Sequence, residues 1–189
     1  LGAHYRSPIN YTLASVAASK EHYLSYRHLI DQSHYLERYY SPRIEPSIVS
    51  FTEADKLKLE DLQQAFFNAL DDDLNTPQVL SALDGMRSLA SRLYAEVKVL
   101  LGQSDEDRNW AGRFLFVVRL FIEQGKILGL FERLEKTSLS KQIDELFEQY
   151  KSARSSKDFS TSDTLRKKLN EQSFIVQDTG GTSIIIPKR

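Results

Sequence analysis

Apolar residues recur at every third or fourth position along four segments of the chain, a spacing that predicts four amphipathic helices. The first helix is expected to run from Thr12, whose hydroxyl suits the N-cap, to about Tyr40, just before Pro42. Residues 41–51 contain two prolines and are predicted to be a linker. The apolar face of this first helix is irregular and consists of Leu13, Val16, Ala17, Tyr23, Leu24 and Ile30.

The second and third predicted helices meet at an acidic corner, DDDLNTPQ, over residues 71–78. The second begins after Thr52, which forms an approximate capping box with Asp55. In the third, Thr76 is the predicted N-cap and Pro77 the first helical residue, and Gly102 is expected to end the helix. The expected core residues of the two are Leu59, Leu62, Phe66, Phe67 and Leu70, then Val79, Leu83, Met86, Ala90, Leu93, Val97 and Leu100.

A polar loop over residues 103–108 is expected before the fourth helix, which is predicted from about Trp110 to Leu128, next to Gly129. Four helices joined by short loops predict an antiparallel helical bundle over residues 12–135, within a mainly α fold class. The inward residues of the fourth helix are expected to be Phe114, Val117, Val118, Phe121 and Ile122.

The pattern changes after Ser138. A break at Ser155 and Ser156 separates two shorter helices, the second expected from about Ser160 to Glu171. Residues 174–178 and 182–186 alternate like strands on either side of a glycine pair. Residues 136–189 are therefore predicted to form a small α+β module with a C-terminal β-hairpin, and residues 1–11 a linker. The first of its helices has an apolar face of Leu139, Ile143, Leu146, Phe147 and Tyr150.

Composition narrows the class of protein. The 189 residues carry a formal net charge of −1 and no cysteine, which excludes disulfides and a chain that is basic throughout. No segment approaches the roughly 18 apolar residues of a membrane span, and no signal peptide is found, so we expect a cytoplasmic protein without a membrane partner. The chain opens on LGAHYRSPIN without a methionine, and we expect that a longer protein continues upstream.

The sequence contains no recognisable catalytic motif. It has no P-loop, no GxGxxG and no nucleophile elbow, which disfavours a complete enzyme. His22, His28 and His34 are six residues apart, a spacing that does not align them as metal ligands on one helix face, and no metal site is predicted. The acidic run at 71–73 leaves two readings, a divalent-ion site or a solvated helix end, of which the second is the commoner.

The last 39 residues have a different charge balance from the whole chain. Residues 151–189 contain eight Lys or Arg against four Asp or Glu, a local charge of +4. Cations hold phosphates, while Arg forks and carboxylates read the edges of unpaired bases, so this composition is typical of single-stranded RNA binding. A solvated helix face is the competing interpretation.

Five motifs in one order point to a family. They are HYRSP at 4–8, DDLNTP at 72–77, ILGLF at 127–131, R-x-x-K-D-F-x-x-x-D-x-x-R at 154–166 and D-T-x-G-T at 178–182. Together they closely resemble the C-terminal half of class I cysteinyl-tRNA synthetases, and the resemblance covers the whole chain.

The resemblance implies that catalysis belongs to an upstream domain and RNA binding to this chain. That domain would bind ATP with magnesium and one zinc ion, and its partner here would be the helical anticodon-binding bundle with its small module. The implied RNA is tRNA-Cys, and no cofactor is expected in this chain. The chain alone is expected to be inactive in attaching cysteine to tRNA.

The resemblance also assigns residues. The anticodon-reading residues fall on Arg154, Asp163 and Asp178, with Phe159 as the stacking ring where the family commonly has Trp. Lys157, Arg166, Lys167 and Lys168 are expected to contact phosphate. His4 and Arg6 are expected either to contact the acceptor stem or to pack.

Two departures from the family pattern bear on the hairpin. The family usually reads D-T-P-Q-G-T-T-W-R, whereas here DTGGTSIII is one residue shorter, and Ser173 replaces a Gly that commonly precedes the strand. The alternative is a free-standing helical protein-interaction module that has lost RNA binding.

Overall fold

The computed structural model describes residues 2–8, 10–40, 49–96, 105–132, 141–179 and 182–187. These residues form six helices and two strands, so the predicted mainly α fold is confirmed. In chain order the elements are α1 Leu13–Tyr40, α2 Glu53–Asp71, α3 Thr76–Glu96, α4 Asp105–Ile127, α5 Lys141–Ser155, α6 Phe159–Glu171, β1 Phe174–Thr179 and β2 Thr182–Pro187.

The helices α1 to α4 enclose the larger of two hydrophobic cores. Helix α2 packs against α3, α3 against α4, and α1 against α4. The inward faces expected for α3 and α4 are confirmed where they are described, while Val97, Leu100 and Gly102 lie outside the described residues. Fully buried side chains of these two helices include Val79, Leu83, Met86, Leu93, Phe114, Val117, Val118 and Phe121.

The face predicted for the first half of α1 is wrong. Leu13 is 87% exposed, and Val16 and Tyr23 are also exposed. The apolar residues before Tyr26 do not form a continuous stripe. The regular stripe begins at Tyr26, and Tyr26, Leu29 and Ile30 are buried in the core. The second half of α1 therefore anchors the helix.

Two helix starts follow the predicted capping. The Thr12 hydroxyl accepts from the Ser15 N–H at 3.0 Å, and the Thr52 hydroxyl accepts from the Asp55 N–H at 3.2 Å. The Asp55 carboxylate is buried and pairs with Arg92 of α3. Asp55, in the first turn of α2, therefore ties α2 to α3.

Two other helix starts differ from the predictions. Helix α3 is capped by Asn75, whose side-chain oxygen accepts from the Gln78 N–H at 3.4 Å, and not by Thr76, whose hydroxyl donates to the Ala3 carbonyl at 3.2 Å. Helix α4 begins at Asp105, inside the predicted polar loop. The acidic first turn of α4 explains this start, because negative charge stabilises a helix N-terminus.

The second core lies among α5, α6 and the two strands. Strands β1 and β2 pair antiparallel, with Val176 opposite Ile185 and Asp178 opposite Ser183. Gly180, Gly181 and Leu139 lie outside the described residues. The buried residues of this core are Ile143, Phe147, Tyr150, Ala153, Leu165, Leu169, Val176 and Ile185.

The two cores are separate clusters, but α1 contacts β2. The predicted boundary between residues 135 and 136 lies outside the described residues and stays a prediction. None of the helices in the described ranges is long and apolar enough to cross a membrane.

Candidate nucleic-acid interface

Asp178 stands on the core-facing side of the hairpin, where β1 approaches its turn. It shares this side with Val176, two residues earlier, and its cross-strand partner is Ser183. The Ser183 hydroxyl donates to Asp178 Oδ1 at 2.6 Å. The carboxylate is thus held at the rim of the second core, with its side chain 22% exposed.

Arg154 and Phe159 meet Asp178 at this rim. Arg154 lies in the last turn of α5, and its Nη2 is 3.3 Å from Asp178 Oδ2. Its guanidinium carbon lies 5.5 Å from the centroid of the Phe159 ring, which opens α6 and is 58% exposed. A cation against an exposed ring is an arrangement on which a base can stack.

Arg166 and Tyr150 complete the cluster. Arg166 and the Tyr150 hydroxyl both donate to Asp178 Oδ2, the tyrosine at 2.7 Å, and Arg166 Nη2 also donates to the Tyr150 oxygen at 2.6 Å. Burial, with the hydrogen bond to Asp178, raises the pKa of Tyr150 above its ordinary value. The hydrogen bond to Tyr150 likewise raises the pKa of Arg166, and the charges of Asp178 and Asp163 act in the same direction.

The remaining candidates on α6 divide between its two flanks. Asp163 and Lys167 are exposed and follow Phe159 at helical spacing, on the flank that carries the cluster. Lys168 lies on the opposite flank, in a shallow groove with Thr161, Thr164 and Gln149. The candidate phosphate contacts therefore do not share one face.

The turn between α5 and α6 places Lys157 next to Arg154. The Lys157 N–H donates to the Arg154 carbonyl at 3.1 Å, and the Asp158 N–H donates to the Ala153 carbonyl at 2.8 Å. Lys157 has a φ of 59°, in the left-handed region where glycine usually ends a helix in this way. Asp158 caps α6 by accepting from the Thr161 N–H at 3.0 Å, and hydrogen bonds from the Thr161 side chain and backbone lower the pKa of Asp158.

His4 and Arg6 lie far along the chain from this cluster and converge on Asp73 at the corner between α2 and α3. Arg6 Nη1 is 3.0 Å from Asp73 Oδ2, and the Tyr5 hydroxyl donates to Asp73 Oδ1 at 2.6 Å. His4 Nε2 is 3.9 Å from the same carboxylate and its ring stacks on Tyr5. The motifs at 4–8 and 72–77 thus form one structural unit.

Sequence reasoning missed two members of the Asp178 cluster. Tyr150 was counted only as an apolar residue of α5, although its hydroxyl is the signal that a buried tyrosine needs a polar partner. Ser183 follows from the strand register, because a hydroxyl directly opposite an Asp is within its reach. Among the residues that the structure describes, no group of three or more His, Asp or Glu side chains is arranged to hold a metal ion.

Comparison with known proteins covers most of the chain. Residues 65–132, from the middle of α2 to just past α4, match the family described as the DALR domain. A cysteine–tRNA ligase of Methanosarcina acetivorans is 29% identical over 178 residues, which cover 94% of this chain and 34% of that protein.

Two bacterial relatives give the same picture. A cysteine–tRNA ligase of Bacillus licheniformis is 31% identical over 187 residues, covering 95% of this chain and 35% of the relative. One from Lachnoclostridium phytofermentans is 30% identical over 182 residues, covering 95% and 36%. The chain spans about a third of the length of the curated relatives that it matches. The resemblance carried by the five ordered motifs is therefore confirmed, because nearly the whole chain is similar to cysteine–tRNA ligases and residues 65–132 match the DALR domain.

Proposed function

We propose that this chain binds tRNA-Cys at its anticodon, as the tRNA-binding part of a cysteine–tRNA ligase. The observation that carries the proposal is the meeting of Arg154, Phe159 and Asp178, which come from three different elements, at one exposed rim. The relationship to cysteine–tRNA ligases supports the choice of RNA. Asp178 Oδ2 lies 3.3 Å from Arg154 Nη2.

In this proposal each side chain has a chemical role. Phe159 stacks on an unpaired base, Arg154 donates to acceptors on a base edge, and the exposed Asp163 accepts from a base amino group. Lys157 and Lys167, on the side of the cluster, neutralise phosphates of the strand that carries the base, and Lys168 neutralises a phosphate that passes the opposite flank of α6. Arg6, held on Asp73, keeps donors free for the acceptor stem, because a guanidinium has five N–H groups. His4 packs beside it, since its Nδ1 accepts from the Arg6 N–H and its Nε2 faces Asp73.

The catalytic steps belong in this proposal to an upstream domain. ATP, magnesium and zinc would be bound there, and this chain would supply the RNA contacts that bring tRNA-Cys to it. We expect no cysteine-dependent ATP–pyrophosphate exchange from the chain alone. Measurable exchange would show instead that the chain carries its own activation site.

The proposal is tested by fluorescence titration of the chain with tRNA-Cys and with a tRNA of different anticodon. Arg154→Ala should lower the affinity for tRNA-Cys about tenfold or more, because a bidentate base contact contributes about 1–3 kcal/mol. Arg119→Ala is the matched control, since Arg119 pairs with Glu37 in the bundle at 3.0 Å. It should leave the affinity unchanged.

Two results would oppose the anticodon role. One is equally weak binding to every tRNA, unaffected by Arg154→Ala. The other is capture of a protein partner with no RNA retained at low salt, which would favour the alternative of a helical interaction module.

A further inference from the structure

Both oxygens of the Asp178 carboxylate are engaged by donors from the protein itself. Oδ2 accepts from Tyr150 and Arg166 and lies 3.3 Å from Arg154 Nη2. Oδ1 accepts from Ser183 at 2.6 Å. A carboxylate has about four lone-pair sites, so this one has little capacity left for a base.

Tyr150 is the buried member of this network. Its side chain is 0% exposed, and its ring packs against Phe147 at a centroid distance of 6.4 Å. Its hydroxyl donates to Asp178 and accepts from Arg166, so the single oxygen links an anion and a cation. The Arg166 guanidinium also lies against the tyrosine ring, 5.6 Å from its centroid.

The orientation of both arginines thus depends on a side chain that no ligand can reach. Tyr150 is fixed by the core, Asp178 is fixed by Tyr150 and Ser183, and the two arginines are held by Asp178. Both arginines stay partly exposed, with side-chain exposures of 36% for Arg154 and 43% for Arg166, and Arg154 lies against the Phe159 ring. Hydrogen-bond donors held in advance lose less side-chain entropy when a ligand binds.

We propose that Tyr150 is a positioning residue of this rim, acting with Ser183 through Asp178 to hold Arg154 and Arg166 as one donor array. Asp178 then binds the two arginines and does not contact the base. The array takes a base edge rich in hydrogen-bond acceptors, and the exposed Asp163 is left as the carboxylate that meets an amino group. This inference rests on the proposed function, because the ligand is taken to be an unpaired RNA loop.

The test compares the whole chain with its Tyr150→Phe variant, which loses the hydroxyl and keeps the ring in the core. Fluorescence anisotropy gives the affinity for an anticodon stem-loop with the GCA sequence and for one with an altered anticodon. We expect Tyr150→Phe to lower the ratio of these two affinities roughly fivefold to tenfold, because the lost hydrogen bonds involve charged groups. The salt dependence of binding should not change, since phosphate contacts are untouched.

Tyr26→Phe is the matched control. Tyr26 is 2% exposed in the bundle core, and its hydroxyl makes no hydrogen bond among the described residues. Ser183→Ala is a second test variant and should lower the same ratio, because it removes the donor on Oδ1. If Tyr150→Phe unfolds the second core, Ser183→Ala still tests the inference.

The outcomes separate the two proposals. A wild-type chain that binds both stem-loops equally would overturn anticodon recognition, and with it the inference. If the wild-type chain prefers the GCA stem-loop and the Tyr150 and Ser183 variants keep the same affinity ratio, the positioning role alone is overturned.

Discussion

At the scale of single residues, Asp73 determines where the N-terminal segment lies. Its carboxylate accepts from Tyr5 and pairs with Arg6, and the Thr76 hydroxyl holds the Ala3 carbonyl one turn away. Asp73 and Leu74 both have φ near 50°, a left-handed conformation that is costly outside glycine. The corner therefore holds this carboxylate in place at a cost in backbone strain.

Replacing Asp73 with Ala should release the N-terminal segment. The bond after Arg6 is a trypsin site, and we expect it to be cleaved roughly tenfold faster when the contacts to Tyr5 and Arg6 are lost, because proteolysis follows local opening. Mass spectrometry of the released peptide gives the rate. Asp71→Ala, a neighbouring exposed carboxylate, serves as the control, and equal rates in both variants would show that Asp73 does not hold the segment.

The motifs predict which residues lie together better than they predict the partner of each residue. Arg154, Phe159 and Asp178 follow from the motif positions, and the structure brings them together. Arg166 was expected at a phosphate but pairs with Asp178 and Tyr150. A basic side chain on an exposed helix face looks the same in the sequence whether its partner is solvent, phosphate or a carboxylate twelve residues away.

At the scale of elements, two turns of the second core hold non-glycine residues where glycine is favoured. Lys157 ends α5 with a φ of 59°, and Ser173 joins α6 to β1 with a φ of 65°. The Ser173 conformation explains why the family commonly has glycine there. Lys157 keeps a cation beside Arg154 at the expense of backbone strain.

Lys157→Gly should therefore raise stability and lower RNA affinity together. Relief of the left-handed conformation is worth about 1 kcal/mol in the free energy of unfolding, measured by urea denaturation. Loss of one phosphate contact should weaken binding to all RNAs and reduce the salt slope by about 1.

Two further variants separate these effects. Ser173→Gly should stabilise by a similar amount without affecting RNA binding. Lys157→Ala should weaken binding without stabilising the fold, because alanine keeps the strain. If Lys157→Gly were to bind RNA as tightly as the wild type, Lys157 would be no phosphate contact.

At the scale of the whole molecule, both cores contain tyrosines that resist ionisation. Burial raises the pKa of Tyr26 and Tyr94 in the bundle and of Tyr150 in the second core. The folded chain therefore holds these protons more tightly than the unfolded chain, whose phenols ionise near a pH of about 10. Their contribution to stability is complete below that pH and is lost as the pH rises further.

Urea unfolding at increasing pH should show this loss above about pH 10, with a shallower decline in Tyr26→Phe. Phenolate absorbance of the folded chain should show that part of its nine tyrosines titrate late. Titration of all nine together near their ordinary pKa would contradict the raised pKa of these three tyrosines.

The fold itself was largely predictable because its periodic signals are long. Helices α3 and α4 have regular apolar stripes, and their buried faces agree with the sequence wherever they are described. The first half of α1 was misread because scattered apolar residues do not make a stripe. The start of α4 was missed because an acidic stretch suits both a loop and the first turn of a helix.

The contact between α1 and β2 gives the chain a second route between its two cores. The first route is the chain itself, and the second is this contact between a helix and a strand. Helix α1 has 28 residues and is about 42 Å long, at 1.5 Å per residue. This one helix therefore reaches both ends of the described chain. Its middle lies beside Gly2, and another part contacts β2. A shift of the hairpin would accordingly be transmitted along α1 to the part of the helix that lies beside Gly2.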